Sequence, residues 1–217
     1  MGGDPLNILT EDPTMPDLQR REIADGGVLL FDPHFLAPDE ADALFARLRA
    51  GTPWGQETAS FGKPFPRLTA YYADPGVSYT YSGVTHPALP WPEDLVGVRA
   101  RVEAATGGPL NSVLLNYYRD GSDSIGYHAD AEHGLGPNPV VPWLSLGAAR
   151  LFHLRHARTG ERISYALGGG SLLVMAGTTQ HHWRHAVPKT RKPVGPRINL
   201  TFRCLLPGGP GAARGGG

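Results

Sequence analysis

The sequence predicts an α+β domain that is mainly β: a double-stranded β-helix, a jelly-roll relative, buttressed by helices from its N-terminal third. Two observations carry this reading. From Leu110 onward, short apolar runs alternate with Gly, Pro, Asn and Asp, the texture of an all-β sandwich or barrel. Before Leu110, helical periodicity is found in two stretches. At 217 residues, the chain is about one and a half times a usual domain, which favours one domain with extra chain. With 41% hydrophobic and 18% charged residues, it can bury a sizeable core.

Taken in order, residues 1–20 are polar and proline-bearing and are expected to form a flexible tail. Gly27 to Asp32 reads as a short strand. Pro38 to Ala50 reads as a helix: Pro38, Asp39 and Glu40 suit a first turn, Leu44, Phe45 and Leu48 form a stripe, and Gly51 is the stop. A second helix is expected from Pro92 to Ala105, with Leu95, Val98 and Val102 inward and Gly107-Gly108 ending it. The β runs follow: LNSVLLNYY, SIGYHAD, PVVPWLSLG, ARLFHLRH, RISYAL, SLLVMAG, HHWRHAVP and RINLTFRCLL. Residues 207–217, almost only Gly, Pro and Ala, are expected to be a second flexible tail, which leaves one domain over 21–206.

Composition excludes several classes. No stretch approaches the roughly 18 consecutive apolar residues of a membrane span. The first residues carry acids and prolines where a signal peptide needs basic and then apolar residues, so an intracellular protein is expected, cytoplasmic if bacterial and nuclear if eukaryotic. The single cysteine, Cys204, excludes a disulfide framework; one residue from Arg203, it is expected to be an inert buried thiol. Formal neutrality hides an asymmetry: residues 134–217 hold eleven Lys plus Arg and one acid, Glu161. That half reads either as a polyanion-facing surface or as segregated solvated charge.

The chemistry concentrates late in the chain. His128 and Asp130, at i and i+2, would project from one face of a strand about 6 to 7 Å apart and can chelate one cation. A third ligand must come from another strand, and His185 is offered by Trp183 to Pro188, with His182 the alternative if the register shifts by one. Two histidines and one carboxylate with open positions form the facial triad of non-haem iron(II) oxygenases. In the last strand, alternation sets Ile198, Leu200 and Phe202 on one face and Arg197, Asn199, Thr201 and Arg203 on the other. Arginines inside a barrel need anionic partners, which a small diacid held at both ends by Arg197 and Arg203 would supply; on an exposed edge they would simply be solvated.

Five ordered motifs then resemble the AlkB family of iron(II)- and 2-oxoglutarate-dependent nucleic-acid dealkylases, closest to the branch with the human DNA-repair members. They are N-x-Y-x-D-G-x-D-x-I-G-x-H-x-D-x-E (Asn116 to Glu132), S-L-G-A-x-R (Ser145 to Arg150), G-S-L-L-x-M (Gly170 to Met175), W-x-H-x-x-P (Trp183 to Pro188) and P-R-I-N-L-T-F-R (Pro196 to Arg203). The resemblance implies His128, Asp130 and His185 as iron ligands and Asn116, Tyr118, Arg197, Asn199 and Arg203 as 2-oxoglutarate contacts. It puts Arg197 on the distal carboxylate and Arg203 near the chelating one. Upstream, P-R-x-x-x-x-Y (Pro66 to Tyr72) and Y-T-Y-S-G (Tyr79 to Gly83) resemble the nucleotide-recognition region, about 55–90. There Tyr79, Tyr81 and Ser82 would line a base pocket, Phe61 would sit on a duplex-probing hairpin, and Glu132 would pair with Arg203 or approach the base.

The implied activity is oxidative dealkylation of 1-methyladenine- and 3-methylcytosine-type bases in DNA, with RNA left open. It consumes O2 and converts 2-oxoglutarate to succinate. Such cationic bases suit aromatic faces beside a carboxylate. No membrane and no obligate protein partner is implied, and a monomer is expected. Three departures bear on what is acted on: Ala131, where several relatives have an acid, and Pro142-Trp143 bear on exact substrate preference, and Pro64-Phe65-Pro66, which makes the hairpin short and stiff, bears on double-strand preference. Pro142-Trp143 is expected to interrupt its strand. If Tyr79 and Tyr81 only pack a sheet, the alternative is a 2-oxoglutarate oxygenase of a protein or small molecule. If Arg197 and Arg203 face solvent, it is a metal-binding jelly-roll without oxygenase activity.

Overall fold

The computed structural model describes residues 18–58, 62, 64–77, 79–81, 84–86, 88–130 and 133–206. Among these described residues, thirteen strands and three α-helices follow in chain order: β1 (Gln19–Ile23), β2 (Gly27–Asp32), α1 (Pro38–Gly51), β3 (Leu68–Ala73), β4 (Tyr79–Tyr81), β5 (Val84–His86), α2 (Glu93–Thr106), β6 (Ser112–Tyr118), β7 (Ile125–His128), β8 (Val141–Gly147), β9 (Arg150–His156), β10 (Arg162–Leu167), β11 (Leu172–Gly177), α3 (Thr179–His182), β12 (Trp183–Val187) and β13 (Arg197–Arg203). A major sheet of seven strands runs β1-β2-β11-β8-β13-β6-β3, a minor sheet of four runs β10-β9-β12-β7, and β4-β5 pair alone. The ladders are antiparallel.

Alternation in the major sheet explains its burial. Val28, Leu30, Leu144, Leu146, Ile198, Leu200 and Phe202 face one way and join Leu44, Leu48, Leu95, Val98 and Val102 of the two long helices in one core. Leu29, Tyr118, Val141, Trp143, Leu173 and Met175 face the other way and meet Phe152, Leu154, Trp183 and Val187 of the minor sheet in a second core. Covered on both faces, β6, β11 and β13 are buried at every position; β11 therefore reads as an apolar run, while β13 keeps its alternation and buries its polar face too. The minor sheet has one free face, and β9 alternates buried and more exposed residues throughout.

The helices form where the sequence places them. Pro38 occupies the first turn of α1 with Asp39 and Glu40, which complement the helix dipole. Gly107 ends α2 in the left-handed conformation. Ion pairs from Arg47 to Asp94 and from Arg101 to Glu40 tie the two helices together.

Four local expectations need correction. β1 begins at Gln19, inside the stretch expected to be tail, because it pairs with β2 along its whole length. His181 and His182 lie in the single turn α3 rather than in the strand that follows. Pro142 does not interrupt β8: Ser145 donates its N–H toward β11, so alternation turns the donor-less Pro142 nitrogen toward β13, whose ladder has already ended at Trp143. Cys204 lies beyond the end of β13 and is half-buried.

Candidate functional site

The turn from β6 to β7 is a clasp built by the D-G-x-D motif. Asp120 accepts the N–H and hydroxyl of Ser122, and Asp123 accepts the backbone N–H, Nε and Nη2 of Arg119. Arg150, from the S-L-G-A-x-R motif, donates to the carbonyls of Asp120, Asp123 and Pro188 at 2.6 to 2.9 Å. A Cβ on Gly121 would stand 2.5 Å from the carbonyl of Thr190, so only glycine fits there. The same motif places Gly147 at φ +78, where a Cβ would meet the Pro196 carbonyl at 2.6 Å. The clasp thus fixes where β7 starts and where its histidine ends up.

His128, Asp130 and His185 come together, with candidate ligand atoms all within 4.8 Å of one another. His128 and His185 face each other across the β7–β12 ladder, rings 4.2 Å apart. Asp130 lies just past the end of β7, so the pair spans a strand end rather than one strand face. What holds it there is tertiary: Arg203 Nη2 donates to Oδ1 at 2.6 Å, and the Asp130 N–H donates to Gln180 Oε1 at 2.9 Å. His128 Nδ1 lies 2.9 Å from the Gly126 carbonyl; donating there, it leaves Nε2 as the free electron pair. His185 packs between Trp143 and Phe152.

Electrostatics suit a cation. Burial alone would raise the Asp130 carboxyl, but the Arg203 guanidinium, with His185 and His128, outweighs it and holds the group well below the usual carboxylate range. Burial, reinforced by His128, pushes His185 down to about 3, so its imidazole stays neutral. Asp130 Oδ2 and His185 Nε2 are both buried without a hydrogen-bond partner, 3.6 Å apart. Two buried lone-pair atoms facing each other without a partner are costly unless a cation lies between them. The donor set therefore fits iron(II).

A second group, Asp25, His156 and His182, has similar spacing and a different chemistry. His156 Nδ1 accepts the Thr159 N–H at 3.1 Å, so the proton sits on Nε2, which donates to Asp25 at 3.0 Å. That proton occupies the electron pair a metal would need. The contact instead ties the turn before β2 to the end of β9.

Beside the triad, the inner face of β13 carries a polar strip. Arg197 Nη2 donates to Ser145 Oγ and Asn199 Oδ1, and Asn199 Nδ2 to Thr201 Oγ1, each at 2.9 Å. Arg197 is buried, its Nε and Nη1 have no partner, and burial pulls its pKa down to about 10. Tyr118 lies between the Arg197 and Arg150 guanidiniums, its buried hydroxyl turned toward Arg197. These orphaned donors are what a carboxylate end of a small diacid would satisfy. A small, partly open pocket lies alongside. Arg67, Asn116, Leu114, His128, Asp130, Trp143, Thr201 and Arg203 are among its walls.

Sequence reasoning missed three participants. Arg67 lines the pocket and donates to Asn116 Oδ1 at 2.7 Å; its P-R motif was in view but not this contact. Gln180 grips the Asp130 backbone, and Ser145 props Arg197. Of the recognition residues, Tyr79 and Tyr81 occupy alternate positions of β4, which pairs only with β5. Phe61, Ser82 and Glu132 lie outside the described residues.

An antiparallel double sheet with two histidines and a carboxylate at its mouth is the build of an iron(II)- and 2-oxoglutarate-dependent oxygenase. Residues 28–203 match the model of the 2OG-Fe(II) oxygenase superfamily. Within it, the chain is 39% identical to the mouse alpha-ketoglutarate-dependent dioxygenase alkB homolog 3, over 84% of this chain and 68% of that one. It is 38% identical to the human DNA oxidative demethylase ALKBH2, over 77% and 69%, and 33% identical to the Arabidopsis thaliana protein of that name, over 92% and 74%. The chain belongs to the AlkB family. A solved structure titled "The structure of OsALKBH1" shares the fold at a TM-score of 0.57 and 18% identity, covering 85% of this chain and 99% of that one.

Proposed function

We propose that this dioxygenase removes alkyl groups oxidatively from ring nitrogens of nucleobases, of the 1-methyladenine and 3-methylcytosine type, in DNA, as direct reversal of alkylation damage. The observation that carries the reading is the buried His128, Asp130 and His185 group beside the orphaned Arg197 donors in an AlkB-family chain. When bound, iron(II) and 2-oxoglutarate supply the oxidation, consuming O2 and releasing succinate, CO2 and the alkyl carbon as an aldehyde.

The chain's own residues do the rest. His128, Asp130 and His185 hold the metal from one side, leaving the other open. Arg197, oriented by Ser145 and Asn199, receives the distal carboxylate of 2-oxoglutarate. Tyr118 and Asn116 complete that cradle, and Arg203 sits at the metal end while fixing Asp130. Trp143 and Phe152 wall the site against water. Tyr79, Tyr81 and Ser82 line the base pocket, Glu132 favours a cationic base, and Phe61 wedges the duplex. A lesion that already weakens pairing is cheaper to flip out of the stack.

The test is succinate formation that depends on a methylated oligonucleotide, with formaldehyde measured alongside. Matching yields support the reading; succinate without formaldehyde, or insensitive to the oligonucleotide, overturns it. Tyr79→Ala should cut oligonucleotide turnover by one to two orders of magnitude, about what loss of one stacked base costs, and leave slow uncoupled 2-oxoglutarate decarboxylation nearly intact.

A further inference from the structure

Three arginines stand in one row across the outer face of the minor sheet. Arg162 of β10 pairs directly with Arg155 of β9, and Arg155 with Arg184 of β12. All three are exposed, and among the described residues no carboxylate lies within ion-pair distance of any of them. Elsewhere the pattern differs: Arg47, Arg99 and Arg101 on the helices each meet an acid. Like charges directly opposite one another weaken a sheet, so the row has a cost that the fold itself does not offset.

The rest of that face fits the same ligand. On β9 and β10 it adds Leu151, His153, Ser164 and Ala166, with no acid. On the edge strand β7 it presents Tyr127, 40% exposed, with the Arg155 guanidinium 4.6 Å from its ring centre. Neighbouring strands are about 4.8 Å apart, so the row spans about 10 Å. All three cations are arginines, whose planar fork matches phosphate oxygens in pairs.

We propose that the outer face of the minor sheet is a phosphate track, on which Arg162, Arg155 and Arg184 hold the backbone of the substrate nucleic acid without reading its sequence. The inference rests on the dealkylase reading and adds where the polymer lies. The track ends beside the site, since β7 turns Tyr127 outward and His128 inward.

The experiment is binding of a short unmodified single-stranded oligonucleotide, followed by fluorescence anisotropy from about 50 to about 200 mM salt. The triple variant Arg155→Gln, Arg162→Gln, Arg184→Gln should bind at least tenfold more weakly at the lower salt. Its slope of log affinity against log salt should shrink by about 2, at about 0.7 per contact. Turnover of free 1-methyladenosine should stay unchanged, and the matching triple Lys variant should keep most of the slope. Unchanged affinity and slope in the Gln variant would overturn the track, as would loss of binding only to anionic phospholipid vesicles or polyglutamate. The dealkylase reading is judged separately, by formaldehyde release from a methylated oligonucleotide with the wild-type protein.

Discussion

The two sheets divide the chemistry. The minor sheet supplies both histidines of the proposed metal site from facing positions on β7 and β12, while the major sheet supplies the proposed diacid cradle from β6 and β13. Their surroundings differ as much as their roles. β13 is covered on both faces, so its arginines are held by a ladder of buried side-chain hydrogen bonds. β7 is a short edge strand, and His128 at its end is only half-buried. Charge that must stay fixed is built into the thick side of the molecule. On the thin side, His185 is buried between the sheets and His128 reaches the half-exposed edge. Asp130 joins the two, bonded to Arg203 of the major sheet and aimed at His185 of the minor one.

Apart from Arg203, which holds Asp130 from β13, that division breaks if either sheet's residues affect the other's ligand. The largest effect is expected from His185→Ala, which should lower turnover more than a thousandfold and abolish Mn(II) or Fe(II) binding with circular dichroism unchanged. His182→Ala, outside the site, should leave metal affinity as it was. Next, Arg197→Ala should weaken 2-oxoglutarate by about 2 to 5 kcal/mol, the usual cost of truncating one partner of a buried charge pair. Equilibrium binding to metal-loaded protein reads this out, and unchanged affinity would remove Arg197 from the cradle.

A smaller effect sharpens the comparison at its joint. Gln180 touches no ligand, yet its Oε1 holds the Asp130 backbone. Gln180→Ala should raise the metal dissociation constant by about 10- to 100-fold, as for other outer partners of metal ligands, with 2-oxoglutarate affinity little changed once metal is saturating. Gln180→Glu, which keeps an acceptor, should recover part of the loss. A further effect, of a different kind, is on stability. Because burial holds His185 neutral down to about pH 3, the metal-free unfolded chain takes up a proton below about pH 6.5 that the folded one refuses. Stability should therefore fall as pH drops from about 6.5 toward 3, by up to about 1.4 kcal/mol per pH unit from this group. Asp130, also held low, should add to the fall below about pH 3.8. Denaturant melts across that range check the slope, and His185→Gln should flatten its upper part.

How legible was this in the sequence? β13 was legible almost residue by residue, because period-2 alternation is a local rule and the arginine face had to find anions. α1 and α2 were legible from caps and stripes. The candidate metal group was legible as H-x-D plus a distant histidine; the structure brings His185 of β12 to His128 and Asp130 and puts His182 in α3. Gln180, Arg67 and Ser145 were not legible in those roles. Each acts through a contact to a residue far along the chain, from Gln180 to Asp130 across fifty positions, and spacing carries no trace of such pairs. Pro142 misled for a related reason: a proline is harmless in a strand whose ladder ends one residue away.

Metal affinity of Arg197→Ala in the absence of 2-oxoglutarate tests the division of labour most directly. If the metal belongs to His128, Asp130 and His185 alone, calorimetric titration with Mn(II) should give the wild-type dissociation constant within about twofold. A loss approaching that of His185→Ala would mean that the cradle and the metal site are one unit, and would contradict the account.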